Sequence, residues 1–314
     1  MPNWIGDVCM TLPCLEALLQ TNLPVIVCAR PWARDLLSGY PLHDFIEMDN
    51  PWYKSAMMVR QHHKQIKGVA GGLLLPDSLS SALIFRLAGV HSAGHRDDGR
   101  SLLLRWPIGK ATAPLHAVEA WYRLTMEALE RWNLSAPESV PPRQLSLRMT
   151  RQHDSAARAV LSEASLALNQ FVLIAPTATG RHHGKIKVWP GFDLLARRLQ
   201  EDGHRVVMCP PPNEREQALQ NAPTAECLPP VSLGTYASLT QKASLVICND
   251  SGVSHLAAAA EARQITLFGV TDKTRTGPWS PKAVCLGSAA TWPHLDDVLA
   301  SAQVALTRPQ RNAS

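Results

Sequence analysis

The chain has 314 residues, of which 46% are hydrophobic and 18% are charged. Because this composition is ordinary for a globular protein, disorder is not the default interpretation, and the length is sufficient for two domains of typical size. The formal charge of +5 is spread over both halves of the chain, so neither half is basic enough to indicate nucleic-acid binding by itself.

The seven cysteines are odd in number, lack C-x-x-C spacing and lie mostly in apolar stretches, such as those around Cys28 and Cys248. They predict small core residues in a reducing compartment rather than a disulfide or zinc framework. The apolar runs are shorter than the roughly 18 residues of a spanning helix, and the N-terminus lacks a signal-peptide pattern. We therefore expect a cytoplasmic protein that is at most peripheral to a membrane.

Short apolar runs rich in β-branched residues alternate with amphipathic stretches, a pattern that predicts βα units around parallel sheets. In the first half, the predicted strands cover residues 24–29, 45–48, 69–75 and 92–95. In the second half, they cover residues 171–175, 205–209, 225–228, 245–249 and 264–268. A final helix is predicted at about 295–306, followed by a polar tail, 308–314, that we expect to fray.

A proline-rich stretch at residues 135–142 and a polar helical stretch at about 150–168 predict a linker region between two α/β domains. We place the domains at residues 1–150 and 151–314. Two such domains leave a cleft between them, and ligands of open parallel sheets bind at the carboxyl ends of the strands. The strand-to-helix turns are therefore the expected places for functional residues.

The strongest motif, Asn-Asp-Ser-Gly-Val-Ser-His, follows the predicted strand 245–249 and opens an alanine-rich helix. The Ser251 hydroxyl and the backbone N–H groups from Gly252 onward suit a diphosphate, because the positive end of the helix dipole lies behind them. His255 is expected in the first helical turn, where it could also contact an anion. An equally well supported alternative is that Asp250 or Ser251 merely caps the helix.

A second motif, residues 175–190, joins a strand to a helix through a loop rich in hydroxyls and cations. Thr177, Thr179 and Lys187 could bind phosphate oxygens and neutralise charge as a leaving group departs. A P-loop is excluded, because the glycine spacing is one residue short and Ile186 stands in place of the magnesium-binding hydroxyl. The alternative interpretation is a solvated basic loop.

The N-terminal motif Asn-Trp-Ile-Gly-Asp places Asp7 at the start of a predicted helix. A carboxylate there could deprotonate an acceptor hydroxyl as general base. From the spacing alone, an ordinary helix N-cap is the favoured interpretation of this residue.

A weaker feature is the basic stretch 50–67, where Arg60, Lys64 and Lys67 fall on one helical face. Such a face could bind phosphate or carboxylate groups of an acceptor, although a solvated face is the commoner explanation. The sequence has no dinucleotide G-x-G-x-x-G, no H-E-x-x-H and no D-x-D that would hold a metal-bound nucleotide sugar. It therefore predicts chemistry without a metal.

Together these motifs resemble glycosyltransferase family nine, the lipopolysaccharide heptosyltransferases, over most of the chain. The matching segments, in order, are residues 3–13, 75–83, 94–100, 187–190, 249–255 and 267–271. The resemblance implies an α/β fold of the GT-B type, with two Rossmann-like parallel-sheet domains facing across a cleft. Residues 1–150 would bind the acceptor, and residues 151–314 would bind an ADP-sugar.

The implied reaction is inverting transfer of a heptose from ADP-heptose to the Kdo- and heptose-containing inner core of lipopolysaccharide. No metal or other cofactor is implied, and we expect a monomer in peripheral contact with the inner membrane that binds no nucleic acid. A related enzyme such as a nucleotide-sugar epimerase, or a nucleotide-sugar-binding protein without catalysis, is the alternative.

The resemblance also assigns roles to single residues. Asp7 matches the proposed general base, which reverses the preference for an N-cap, and Lys187 would stabilise the departing ADP. Arg60, Lys64 and Lys67 would contact the acceptor. The expected donor-binding residues are Thr177, Thr179, Lys187, Glu214, Asp250, Ser251, Gly252 and His255.

The family normally has a short apolar strand before the opening motif, whereas here that motif follows Met1 and Pro2 directly. We expect either that the natural product starts several codons upstream, or that the place of the strand is empty and the protein is weakened.

Overall fold

The computed structural model describes residues 1–65, 71–135, 138–179, 181–182 and 184–307. The chain divides into two compact units, Met1–Pro142 and Arg143–Ser314. The observed boundary comes before the predicted one at residue 150. Residues 143–150 belong to the second unit, because Leu145 and Leu147 are buried and the Leu147 N–H donates to the Ala259 carbonyl at 2.8 Å.

The first unit alternates helices with short strands. Its elements are α1 (Ile5–Met10), α2 (Leu12–Leu19), β1 (Ile26–Ala29), α3 (Ala33–Leu36), β2 (Asp44–Glu47), α4 (Trp52–Gln65), β3 (Gly72–Leu74), α5 (Leu79–Leu87), β4 (Ser92–His95), a 3-10 turn (Arg100–Leu102), β5 (Trp106–Ile108) and α6 (Ala117–Arg131). The strands form two parallel sheets, β1-β2 and β3-β4-β5.

The second unit has the same alternation. Its helices are α7 (Arg151–Glu163), α8 (Phe192–Glu201), α9 (Arg215–Asn221, after a 3-10 turn at Pro212–Glu214), α10 (Leu233–Lys242), α11 (Gly252–Ala259), α12 (Lys273–Thr276) and α13 (Leu295–Thr307). Its strands are β6 (Phe171–Ala175), β7 (Arg181–His182), β8 (Lys185–Ile186), β9 (Arg205–Met208), β10 (Glu226–Cys227), β11 (Leu245–Asn249), β12 (Gln264–Phe268) and β13 (Ala283–Gly287).

Strands of the second unit form a parallel sheet in the order β10-β9-β6-β11-β12-β13, and β7 pairs with β8 as a separate antiparallel hairpin. When the six strands of this sheet are numbered in the order in which they follow along the chain, the sheet has the order 3-2-1-4-5-6 of the Rossmann fold. Strands β6, β11 and β12 are buried throughout, which explains their continuous apolar sequences. The predicted α/β class with parallel sheets is confirmed.

Four of the predicted strands have the observed bounds, namely 92–95, 171–175, 245–249 and 264–268. The prediction missed β5 and β13 because neither is a continuous buried run. Strand β5 contains Pro107 and lies at the edge of its sheet, where a strand tolerates proline. Strand β13 lies at an edge of the main sheet of the second unit and is only partly buried. Residues 69–70 of the predicted strand 69–75 and the tail 308–314 lie outside the described residues.

Among the described residues, no helix is long and apolar enough to cross a membrane. The described cysteines are unbridged, as the sequence predicts, and Cys9, Cys14 and Cys248 are fully buried. Burial raises the pKa of each of these three thiols to about 12.

These thiols should therefore be inert in the folded protein. At pH 8 we expect Cys9, Cys14 and Cys248 to react with Ellman's reagent only at the rate of unfolding, because the thiolate is the nucleophile. Partly buried Cys227 should react faster, and Cys227→Ser should remove that fast phase. Rapid labelling of Cys248 in the native protein, found by peptide mapping, would contradict this packing.

Candidate functional site

The candidate donor site lies in the second unit, at the carboxyl ends of β6 and β11. These strands are paired neighbours. From β6 the chain continues to β9 on one side, and from β11 it continues to β12 on the other side. This is the point of an open parallel sheet where the strand order reverses, and where the two departing loops leave a crevice for a ligand.

The buried side chain of Asn249 fixes the loops at this point. Its Oδ1 accepts from the backbone N–H of Trp189 at 2.9 Å, and its Nδ2 donates to the carbonyls of Ala175 and Thr177, each at 3.3 Å. Sequence reasoning placed Asn249 in a motif but assigned it no role. Its position at the end of an apolar strand was the available signal, because a buried amide requires partners on every side.

Asp250 and Lys187 form an ion pair beside this anchor. Lys187 Nζ lies 3.0 Å from Asp250 Oδ2, with 21% and 7% of the two side chains exposed. The hydroxyl of Thr271 donates to the same carboxylate oxygen at 2.6 Å. The structure therefore brings together two predicted site residues from different motifs, and Thr271, from the matching segment 267–271, joins them.

Helix α11 begins at Gly252, as predicted, and Ser251 is its N-cap. The Ser251 hydroxyl accepts from the Val253 N–H at 3.3 Å, so the capping alternative holds for Ser251, whereas Asp250 does not cap the helix. A hydroxyl that accepts one bond can still donate another, so capping does not exclude contact with an anion. His255 lies in the same helix and is buried.

Two further predicted residues also meet. The buried Thr177 hydroxyl donates to a carboxylate oxygen of Glu214, at the end of the 3-10 turn before α9. Thr179, two residues further along the same loop, is exposed.

In the first unit, Asp7 lies in the first turn of α1 and is partly buried. The N-cap of this helix is Trp4, which makes no side-chain cap bond, so the interpretation of Asp7 as an N-cap is wrong. Arg60 and Lys64 are exposed on α4, as a solvated or ligand-binding face requires. Lys67, the third member of that predicted face, lies outside the described residues.

Asp77 is surrounded by a cluster of charged side chains, and the sequence motifs did not indicate that these residues contact one another. Asp77 Oδ1 lies 3.0 Å from His95 Nδ1 and 3.3 Å from Arg100 Nη1, and Asp77 Oδ2 lies 2.9 Å from Lys110 Nζ. Lys110 also pairs with Asp97 at 2.8 Å. Burial opposes ionisation of Asp77, but the bonds from His95 and Lys110 hold its pKa well below the usual range.

The matching segments 75–83 and 94–100 contain Asp77, His95 and Arg100, so the sequence could have indicated these three residues. Lys110 lies outside both segments. Arg100 is fully buried, which is rare for arginine without a counter-charge. Within the described residues, no group of three or more His, Cys, Asp or Glu side chains could hold a metal ion.

The whole chain has the fold of solved heptosyltransferases and of a nucleotide-sugar epimerase. It matches E. coli ADP-heptose lps heptosyltransferase II with a TM-score of 0.75 and 23% identity, covering 97% of this chain and 96% of that one. It matches E. coli heptosyltransferase WaaC with ADP with a TM-score of 0.72 and 21% identity, covering 96% of this chain and 97% of that one. It also matches a UDP-GlcNAc 2-epimerase from Methanocaldococcus jannaschii with a TM-score of 0.55 and 13% identity, covering 97% of this chain and 91% of that one. The fold class is therefore GT-B, in which two Rossmann-like units form one chain.

The chain belongs to glycosyltransferase family 9 (heptosyltransferase), whose model matches residues 59–301. It is 27% identical to lipopolysaccharide heptosyltransferase 2 of E. coli K12, over 90% of this chain and 85% of that protein. It is 26% identical to lipooligosaccharide heptosyltransferase 2 of Haemophilus influenzae, over 91% of this chain and 86% of that protein. The protein is thus a glycosyltransferase, and the family match favours transfer over the epimerase alternative.

The Asp77 cluster should contribute to the stability of the first unit. Asp77→Asn leaves buried Arg100 without its counter-charge, and we expect a loss of about 2–3 kcal/mol in the free energy of unfolding at pH 7. That range is low for a buried pair because 38% of the Asp77 side chain is exposed. Asp49→Asn is the matched control, since it breaks an exposed pair with Arg30 and should cost less than about 1 kcal/mol.

The two variants are compared with wild type by urea unfolding at pH 7, at pH 4 and at about pH 2.5. The low pKa of Asp77 stabilises the fold above the ordinary carboxyl pKa, and this contribution is lost as the pH falls through the lower folded value. The difference in unfolding free energy between wild type and Asp77→Asn should therefore persist almost fully at pH 4 and narrow at about pH 2.5, which lies below the ordinary carboxyl pKa. Equal losses for Asp77→Asn and Asp49→Asn at pH 7 would show that the cluster contributes nothing special.

Proposed function

We propose that this chain transfers L-glycero-D-manno-heptose from ADP-heptose to the Kdo-containing inner core of lipopolysaccharide, with inversion and without a metal ion. The observation that carries the proposal is the pairing of Lys187 with Asp250 beside the start of α11, at the point where the strand order reverses. The relatives named lipopolysaccharide heptosyltransferase 2 support the choice of sugar and acceptor.

The donor diphosphate would lie against the backbone N–H groups at Gly252 and the Ser251 hydroxyl. A helix N-terminus favours an anion because its first N–H groups have no partner within the helix and the dipole adds positive charge. Thr177, Thr179 and His255 would complete the phosphate contacts. Glu214 would bind the nucleoside end of the donor, and its bond to Thr177 couples the two ends of the site.

Lys187 would neutralise the charge that develops on the departing ADP. In the absence of donor its ammonium group is held by Asp250, so the positive charge is already in place and little reorganisation is needed. The Thr271 hydroxyl, which donates to Asp250 at 2.6 Å, would still satisfy that carboxylate while Lys187 contacts the phosphate. A cation and a helix N-terminus together supply the positive charge for which other nucleotide-sugar enzymes use a metal, which supports the metal-free proposal.

Asp7 would act as the general base. In the proposed step, an acceptor hydroxyl oxygen forms a bond to the anomeric carbon as the bond from that carbon to the ADP oxygen breaks. The hydroxyl proton passes to the Asp7 carboxylate, and the electron pair of the broken bond leaves with ADP. A single in-line displacement of this kind inverts the anomeric carbon and forms no covalent intermediate with the enzyme.

The exposed cations Arg60 and Lys64 on α4 would bind the phosphate and carboxylate groups of the acceptor, and Lys67 is proposed as a third. Because the acceptor is a glycolipid, we propose a cytoplasmic monomer in peripheral contact with the inner membrane.

The first test is transfer from ADP-heptose to heptose-deficient lipopolysaccharide core, measured in EDTA. Wild type should transfer, and Asp7→Asn should lose roughly 10²- to 10⁴-fold in rate, as expected for loss of a general base. ADP binding, measured by calorimetry, should be unchanged in Asp7→Asn because the proposed nucleotide site lies in the other unit. Transfer that requires added Mg²⁺, or an Asp7→Asn variant of full activity, would overturn the corresponding part of the proposal.

Lys187→Met tests the proposed role of the ion pair. We expect ADP to bind roughly 10- to 100-fold more weakly, since a hydrogen bond to a charged group contributes about 1.5–3 kcal/mol. Lys282→Met is the matched control, because Lys282 also pairs with a carboxylate, Glu261, but outside the proposed site. If both variants bind ADP as wild type does, Lys187 belongs to a structural pair and not to the donor site.

A further inference from the structure

Helices α4 and α5 of the first unit carry a group of exposed apolar side chains. Five large side chains on them are about half exposed or more, namely Trp52, Tyr53, Met57, Leu79 and Leu87. Met57 is the most open of the five, with 68% exposed. A single exposed apolar residue is ordinary on a protein surface, whereas a group of them marks a surface that contacts another molecule.

The two helices expose these side chains on the same side of the unit. Ala56 and Val59 of α4 are buried in one apolar cluster with Ile84 of α5. The same cluster includes Ile46 of β2. Because the inner faces of both helices meet in this one cluster, their outer faces point away from it, toward solvent.

The outer faces are also cationic. Lys54, Arg60 and Lys64 are exposed on α4, and Arg86 is exposed on α5. Neither helix contains an Asp or a Glu. Met57, Arg60 and Lys64 follow one another at spacings of three and four residues, so apolar and cationic side chains share one face of α4. We call these four cations and the five apolar side chains the α4-α5 surface.

The acidic residues that precede the two helices are neutralised by other partners. Asp49, three residues before α4, pairs with Arg30 at 2.6 Å. Asp77, two residues before α5, is held by its own cluster of cations, which includes fully buried Arg100. The positive charge of the α4-α5 surface is therefore available to an external anion.

The chemistry of this surface fits a lipid bilayer. Tyrosine and tryptophan favour the boundary between lipid and water, because each has an apolar ring and a polar group. Trp52 and Tyr53 stand together at the start of α4, with their ring centroids 5.9 Å apart. Arginine and lysine keep their charge among the headgroups while their stems contact apolar groups. A second copy of the chain fits less well, because two such faces would bring like charges together.

We propose that the α4-α5 surface docks on a membrane that contains anionic lipid. The apolar side chains insert at the headgroup boundary, as an interfacial helix does, and Lys54 and Arg86 contact lipid phosphates. Docking holds Arg60 and Lys64, the proposed acceptor-binding cations, at the level where a glycolipid presents its sugars. The inference deepens the proposed membrane contact and in that respect rests on the proposed function.

The first measurement is sedimentation of the full chain with vesicles of phosphatidylethanolamine and phosphatidylglycerol. The protein should bind these vesicles, and at least about tenfold more weakly in about 0.5 M NaCl or with vesicles of phosphatidylcholine alone. An absence of binding, or equal binding to the neutral vesicles, would overturn the proposal. The vesicles contain no lipopolysaccharide and no donor is added, so the result does not depend on whether the chain transfers heptose.

Two double variants test whether the binding uses this surface. Lys54→Gln with Arg86→Gln should weaken binding roughly 10- to 30-fold, because each cation near an anionic surface contributes to the attraction. Met57→Ser with Leu87→Ser should weaken it roughly tenfold through loss of apolar insertion. All four side chains are exposed, so the midpoint of thermal unfolding should not change.

The matched control is Val304→Ser with Leu219→Ser. These side chains of the second unit are 53% and 39% exposed, and their loss should leave vesicle binding as in wild type. Binding by both test variants as tight as that of wild type would place the contact elsewhere and overturn the proposal. A concentration-dependent dimer without vesicles, lost in Met57→Ser with Leu87→Ser, would instead make the occupant a second copy.

Tryptophan fluorescence locates the contact. Vesicles should shift part of the emission to shorter wavelength, and Trp52→Phe should remove that shift because the ring leaves water on docking. Trp4 is 66% exposed but lies outside the α4-α5 surface, so Trp4→Phe should keep the shift. A shift that persists in Trp52→Phe and disappears in Trp4→Phe would contradict the proposed orientation.

Discussion

The candidate donor site depends on a single buried amide. Asn249 accepts a bond from the N–H of Trp189 and donates to the carbonyls of Ala175 and Thr177, so the loops after β6 and β11 cannot move independently. Each of these groups would cost about 1–3 kcal/mol if buried without a partner. Trp189 is itself buried, and its indole N–H donates to the Pro293 carbonyl at 3.0 Å. Lys187 lies two residues before Trp189, so these bonds also fix the segment that carries Lys187.

A second regularity links the two units. In each unit a carboxylate follows the end of a parallel strand, β3 in the first unit and β11 in the second. Asp77 follows β3 and holds His95, Arg100 and Lys110, while Asp250 follows β11 and holds Lys187. In both cases the carboxylate keeps cations at the carboxyl edge of a parallel sheet, where ligands of such folds bind. The repeated fold therefore provides a charged edge twice, once in each unit.

The bounds of strands were predicted most accurately from the sequence where the strands are fully buried. Strands β6, β11 and β12 are buried on both faces, so their apolar runs gave their bounds directly. Single residues were placed well where a strand-to-helix turn fixed them, as at Gly252. Contacts between distant segments could not be read in this way, and Lys110 illustrates the limit. Nothing in its local pattern indicates that it reaches Asp77, because their meeting depends on how β3, β4 and β5 align.

An apolar groove of about 460 Å³ lies inside the first unit between the sheets β1-β2 and β3-β4-β5. A parallel sheet is stable because each interior strand is paired on both sides and covered on both faces. Among the described residues, β1 pairs with β2 alone and β3 pairs with β4 alone, so each strand has one side toward this groove. Open edges of this kind are normally blocked by charge, proline or a covering segment. The amino group of Met1 donates to the Cys28 carbonyl at 2.9 Å, so part of this side of β1 is already hydrogen-bonded.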